Sequence, residues 1–350
     1  MNLLEKTINE IRPVDPRWVE SATRRQLELT KPPGSLGRLE EIANRCTAIR
    51  ESFELTASRP RIVLFAADHG VCAEGVSAYP QEVTAQMVLN FLRGGAAINA
   101  LARAGGIELK VVDVGVATPL PLSSDLISRR QAPGTRNFCE GPAMTEAEMN
   151  AALETGIELA GDSAMAGCDL LGFGEMGIGN TTAASAITAA LTLQPIEALV
   201  GRGAGADDAC LDRKRSAIQR ALALHADSLG RPLGILRCVG GLEIAAMCGF
   251  CLGAAARRVP VVTDGFIATS AAVLAVRLCP ASSGYLFASH RSTEPGHAHL
   301  LAILEQAPLL DLGMRLGEGT GAGLAMKLIQ AAVAAFTQMA TFATAGVSNK

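Results

Sequence analysis

A single carboxylate, Glu318, stands among four glycines in the segment Arg315 to Gly323, directly ahead of a long Ala-rich helical pattern. Glycine lets the backbone approach a ligand closely and take positive φ. A helix start offers free N–H groups and the positive end of a dipole. Such a setting suits an anionic ligand, or a carboxylate that must stay ionised to work as a general base. A surface turn with an exposed Glu is the alternative for this segment taken alone.

Two further Gly-rich segments have similar potential. Asp169 to Gly177 contains a literal G-x-G-x-x-G (Gly172, Gly174, Gly177) behind an apolar run, and Glu197 lies twenty residues further on. That is the spacing of a dinucleotide-binding fingerprint, and it motivates a nicotinamide-dinucleotide-dependent oxidoreductase as the alternative function. Against it, the match lies in mid-chain, and Glu175 puts an anion where a pyrophosphate would rest. The same loop continues through Asn180-Thr181-Thr182 into another Ala-rich run. This is helix-capping chemistry that suits a phosphate or a ribose, or simply a tight βα turn. Gly201 to Asp208, followed by Asp212 to Arg215, offers glycine amides and Lys214 as a monophosphate cradle; a solvated helix face is the alternative. There is no G-x-x-x-x-G-K-[ST] motif and no nucleophile elbow with a credible triad.

The remaining reactive side chains are less informative. The nine cysteines are odd in number and irregular in spacing, which reads as reduced, cytosolic thiols. Cys248 and Cys251 form a C-x-x-C inside an apolar helical run, without a second pair for zinc, and read as buried small hydrophobes. His297 and His299 read as a surface pair. Nothing in the sequence requires a metal or a cofactor.

The composition narrows the ligand. The chain has 350 residues, 49% hydrophobic, with a net charge of -3 and no basic stripe. Nucleic acid is therefore not the expected partner, and the 4% aromatic content leaves no stacking platform. A small molecule is expected. The N-terminus does not read as a signal peptide, and the longest apolar run, 244–256, is too short to span a bilayer, so the expected location is the cytoplasm.

The elements that must position these groups recur in one form. Continuous apolar runs at 61–67, 109–115, 169–174, 259–265 and 285–290 end in Gly, Asp or His, and helical patterns separate them. Runs of this kind fit strands buried on both faces. The alternation predicts an α/β fold with a Rossmann-like parallel sheet and helices on both faces. Ligands bind outside the carboxyl ends of such strands, which brings Asp68, Glu175, Asp264 and His290 towards one rim. The stretch 321–343 reads as a final helix that packs with the polar N-terminal helices. The expected division is a small helical domain, 1–55 with 321–350, and a large α/β domain, 56–320.

Several segments, in this order, resemble one family. They are Lys31-Pro-Pro-Gly-Ser-Leu-Gly-Arg38, Asp68-His69-Gly70, Gly172 to Thr182, Val239-Gly-Gly241, Asp264-Gly-Phe266, Ser289-His290-x-Ser292 and Arg315 to Gly319. Together they resemble the nicotinate-nucleotide–dimethylbenzimidazole phosphoribosyltransferases, which prepare the lower ligand of cobalamin. The resemblance runs from about residue 10 to 340. It implies a homodimer, and a reaction of nicotinate mononucleotide with 5,6-dimethylbenzimidazole that gives α-ribazole 5′-phosphate and nicotinate. It places the catalytic base on Glu318 and the nucleotide contacts on Glu175, Gly177, Gly203, Lys214, Asp264 and Ser292. The base-contacting region falls on Tyr79, Gln86 and Met87, with Met176 beside it. Tyr79 and Met87 stand where Ser and Gln can occur in relatives, which leaves the choice among benzimidazoles, adenine and phenols open.

Overall fold

A computed structural model describes residues 1–203 and 205–348. The chain begins with three helices, α1 (Leu3–Glu10), α2 (Pro16–Glu28) and α3 (Arg38–Arg50). The sequence sets their starts. Asn2 and Glu5 form a reciprocal capping box on α1, and Asp15 caps α2 ahead of Pro16.

The sheet follows. Strand β1 (Pro60–Ala67) leads through α4 (Val83–Leu92) and α5 (Ala97–Gly105) to β2 (Glu108–Gly115) and the short β3 (Leu126–Ser128). Helix α6 (Glu146–Met165) returns to β4 (Leu170–Met176), and five helices come next: α7 (Asn180–Thr192), α8 (Ile196–Leu199), α9 (Asp208–Leu224), α10 (Pro232–Val239) and α11 (Leu242–Ala256). Strand β5 (Val261–Thr263), α12 (Phe266–Leu278), β6 (Leu286–Ala288), α13 (Gly296–Leu304), α14 (Thr320–Gln338) and α15 (Phe342–Ala345) complete the chain.

The six strands are parallel, in the order β3-β2-β1-β4-β5-β6. The strand order reverses between β1 and β4. The crevice outside their carboxyl ends is where an open parallel sheet takes a ligand. The α/β expectation holds. The expected strand segments at 259–265 and 285–290 shorten to three residues each, because the chain leaves the ladder after Thr263 and Ala288: Asp264 then bonds the start of α14, and His290 lines the crevice.

Helix α11 covers one face of the sheet, where Phe250 meets Phe65 and Phe173 edge-on at 5.8 and 6.0 Å between ring centroids. The other face carries α14 and α5, which meet over Ile62 and Gly172. Cys248 and Cys251 are fully buried in α11, and burial raises both thiols. Helix α14 ends five residues earlier than the sequence suggests. The chain then extends, so that Leu29 and Thr341 pair in an antiparallel bridge that joins the two chain ends. Residues 349 and 350 of the expected helical unit lie outside the described residues. Helix α14 packs on α3 but also lies on β1, β4 and β5. By length and composition α14 could cross a membrane, contrary to the sequence reading that no run is long enough; 56% of its apolar window is buried inside the fold.

Candidate active site

A cavity of about 370 Å³ opens at the strand-order reversal. Glu175 and Met176 reach it from the end of β4, and Gly177 to Thr181 from the turn into α7. Ser292 and Glu294 enter from beyond β6, and Arg315 to Glu318 from the approach to α14. His290 lines the cavity too, whereas Asp264 lies just behind it. Asp68, expected on the same rim, turns aside to accept the Ala117 N–H at 2.8 Å, and His69 pairs with Glu243 at 2.7 Å in full burial.

Glu318 is only 6% exposed. Its φ of 63° lies between 86° at Gly317 and 84° at Gly319, so three successive residues are left-handed. Glycine takes this conformation freely, while Glu takes it at a cost that the surroundings must offset. The carboxylate is aimed at the start of α5, where Oε2 accepts the Ile98 N–H at 3.3 Å. Burial raises its pKa, the Ile98 N–H opposes the shift, and the charge of Asp264 adds to it.

This corrects the expectation that the helix following Glu318 keeps it ionised. The N–H groups at the start of α14 belong to Asp264, whose oxygens accept from Gly319 at 3.0 Å, Gly321 at 2.7 Å and Ala322 at 3.2 Å. Asp264, expected among the nucleotide contacts, does not line the cavity. It fixes the backbone that carries Glu318, with His290 Nδ1 4.0 Å away.

Glu175 is buried beside Glu318, and Asn180 donates its side-chain N–H to it. Burial first, then the charges of Asp264 and Glu243, raise its pKa well above the ordinary value; Asn180 opposes this and Glu318 adds to it. A carboxyl whose folded pKa exceeds its unfolded value contributes stability that is complete below that unfolded value, about 4.5, and is lost as pH rises through the folded one. Glu175→Gln, which cannot ionise, is therefore expected to melt a few degrees above the wild type at pH 8. The gap should close as pH falls towards 5. Thermal melts across this range check it, and a gap that does not change with pH contradicts it.

Three of the other nucleotide residues expected from the sequence stand on the cavity or next to it. Gly177 and Gly203 line it. Lys214 does not; it lines an adjoining cleft of about 60 Å³ that shares Gly177, Ile178, Asn180 and Thr181 with the main cavity. Lys214 is only 3% exposed, and its Nζ donates to Thr181 Oγ1 at 2.9 Å. Burial lowers its pKa. The charge of Glu294 opposes this shift from beyond ion-pair distance, and no carboxylate among the described residues pairs with the lysine directly, which leaves its Nζ able to take an anion. Helix α7 adds to this cleft: its N-cap is Gly179, which contributes no side-chain bond to the free N–H groups.

Ser292 lines the cavity and donates its N–H to His297 Nδ1 at 2.9 Å. His297 is thus buried, and not the surface residue expected from its spacing to His299. Burial holds its pKa down to about 3, so the ring is neutral. Because Nδ1 accepts, Nε2–H donates to Thr269 Oγ1 at 2.9 Å.

The opposite wall is apolar, with Tyr79, Val83, Met87, Met176 and Leu316. Val83 and Met87 are four apart on α4 and share the inward face. Gln86 is exposed and does not reach the cavity, because one residue along a helix turns the side chain by about 100°. The sequence reading missed Glu294, and it quoted Arg315 and Phe266 within motifs without giving either a role in the site. Arg315 donates to the Gly203 carbonyl at 2.9 Å, and nothing in its local sequence announces that contact.

The dinucleotide reading loses its basis here. Gly172 and Gly174 lie inside β4, not in the turn after a strand, and Glu197 is exposed on α8. The two glycines make room for other parts of the fold. A Cβ on Gly174 would lie 2.1 Å from the Gly319 nitrogen, and one on Gly172 would lie 2.6 Å from Met326 Cε.

Comparison with known proteins agrees with this architecture. A family model described as phosphoribosyltransferase matches residues 11–347. The nicotinate-nucleotide–dimethylbenzimidazole phosphoribosyltransferase of Chloroflexus aggregans is 54% identical over 350 residues, covering 100% of this chain and 99% of the relative. The protein of that name in Geobacter metallireducens is 51% identical over 349 residues, with 100% and 99% covered. A crystal structure of the corresponding Thermus thermophilus enzyme superposes with a TM-score of 0.90 at 50% identity, over 96% of this chain and 100% of that one. The chain therefore belongs to the nicotinate-nucleotide–dimethylbenzimidazole phosphoribosyltransferase family.

Proposed function

We propose that the protein moves the phosphoribosyl group of nicotinate mononucleotide to 5,6-dimethylbenzimidazole, giving α-ribazole 5′-phosphate and nicotinate, with Glu318 as general base. The observation that carries this reading is the position of Glu318, a buried carboxylate in the cavity between an apolar wall and an anion-ready end. In the same reading Glu175, Gly177, Gly203, Lys214 and Ser292 serve the nucleotide. Tyr79, Met87 and Met176 receive the flat base. Asp264 acts through the backbone it holds. In this reading the enzyme works as a homodimer, as the sequence resemblance implies, and in the cytoplasm, as the irregular cysteine pattern suggests.

The chemistry follows from the charges. The pyridinium of the nucleotide leaves C1′ as a neutral pyridine ring, so its departure needs no added charge stabilisation. One benzimidazole nitrogen attacks C1′ while the other carries a proton. That proton becomes acidic as bonding to C1′ puts positive charge on the ring, and a carboxylate then suffices to take it. Attack opposite the leaving group inverts C1′ from β to α. Holding two flat rings on either side of one ribose supplies much of the rate, since orientation is worth roughly 7–11 kcal/mol in favourable cases.

Incubation of the purified protein with both substrates tests the reading. Nicotinate and α-ribazole 5′-phosphate should accumulate in equal amounts, with the α configuration visible in the anomeric proton resonance. Nicotinate released without a new glycoside would make the protein a hydrolase, and a β product would rule out single inversion.

A further inference from the structure

Asp68, Glu243 and Glu294 each keep a buried carboxylate oxygen without a hydrogen-bond partner among the described residues, and of the three only Glu294 lines the cavity. Glu175 is bonded to Asn180, Asp264 to the start of α14, and Glu318 to the start of α5. Glu294 is 7% exposed and lines the cavity. Its Oε1 accepts the Gly203 N–H at 3.0 Å, but its Oε2 is shielded from water and has no hydrogen-bond partner. No cation lies within ion-pair distance of it among the described residues. The chain also keeps space for that oxygen, since a Cβ on Gly201 would lie 2.2 Å from it. A buried acceptor without a donor is costly, and for one on the wall of a ligand cavity a donor from the ligand offsets that cost.

The missing partner must be a donor. A phosphate, which offers only acceptors and like charge, does not qualify. Gly203 separates Glu294 from the cationic corner: its N–H serves Glu294, and a Cβ there would lie 3.1 Å from both Lys214 Nζ and Thr181 Oγ1. A nucleotide with its phosphate at Lys214 and Thr181 brings its next unit, the ribose, alongside Gly203. The donors of that unit are its hydroxyls. We propose that Glu294 accepts a hydrogen bond from a ribose hydroxyl of the nucleotide and sets the preference for ribosyl over deoxyribosyl substrates. The inference rests on the nucleotide reading above.

The test is a cycle of enzyme and substrate changes. Glu294→Gln keeps the shape, and its amide oxygen still accepts from Gly203, but it places an NH₂ where the free lone pairs were. Turnover and calorimetric affinity are measured for nicotinate mononucleotide and its 2′-deoxy and 3′-deoxy counterparts. The wild type should lose about 10- to 100-fold in kcat/KM on one of the deoxy substrates, the range expected for a hydrogen bond to a charged group. Glu294→Gln should show the same loss on the ribosyl substrate and no further loss on that analogue. Gly201→Ala, which pushes on the same oxygen without changing charge, should show the same coupling. Equal losses on all three substrates would overturn the assignment. So would loss of inorganic phosphate binding in Glu294→Gln, which would reduce Glu294 to a support for the loop. A wild type that forms no glycoside from nicotinate mononucleotide would sink the underlying reading instead.

Discussion

Glu318→Gln is expected to slow phosphoribosyl transfer by about 10²–10⁴-fold, the usual worth of a general base. Affinity for nicotinate mononucleotide should be almost unchanged, since in this reading the base acts on the proton of the incoming ring and not on the nucleotide. Burial raises the carboxyl above its ordinary value of 4.5, and only its ionised form takes a proton. Activity must therefore fall as pH drops through the raised pKa, which puts the acid limb of kcat/KM above the ordinary Glu range. The glutamine variant should lack that limb. A variant that turns over normally, or that keeps the same acid limb, would remove Glu318 from the base role.

A second large effect is expected far from any substrate atom. Gly174→Ala would place a Cβ 2.1 Å from the Gly319 nitrogen and 2.5 Å from the Glu318 carbonyl carbon. Both neighbours are backbone, so the segment carrying Glu318 must shift. Overpacking of this kind costs about 1–3 kcal/mol, occasionally more. A displacement of about 1 Å at the reacting groups costs on the order of 10²-fold in rate. Gly172→Ala is the control, because its Cβ clashes with the flexible end of Met326 at 2.6 Å, while Ile62 Cγ1 and the Val262 carbonyl lie at an ordinary 3.4 Å. It should lower the melting temperature but largely keep turnover. Paired melts and kinetics decide the matter. Wild-type rate and stability in Gly174→Ala would show that strand and loop are not in the close contact described.

These two glycines show where reading the sequence succeeds and where it fails. Their spacing matches a phosphate-binding turn, yet they lie within a strand, where Gly174 makes room for the backbone of Glu318 and Gly319 ahead of α14 and Gly172 for the Met326 side chain of α14. Strand β3 escaped notice for a related reason. Its three residues, Leu126–Ser128, sit at the edge of the sheet and have no apolar run to mark them. His297 reads as a surface residue by spacing, but α13 turns it inward against Thr269. Gln86 and Met87 are equivalent as neighbours in the chain and opposite once α4 forms.

The sequence by itself determined the α/β class, the main strands β1, β2 and β4, and the glycine frame around Glu318. All of these follow from apolar runs and local backbone preference, which act over a few residues. Only the tertiary structure decided the charges. The partners of Glu318 are the start of α5, 220 residues earlier in the chain, and Asp264, 54 residues earlier. Glu175 is pushed towards its neutral form by burial and by Asp264 and Glu243, which come from other elements. Solvent exclusion and the approach of distant charges arise only when β1 and β4 bring those elements to one crevice, and no local pattern records that meeting.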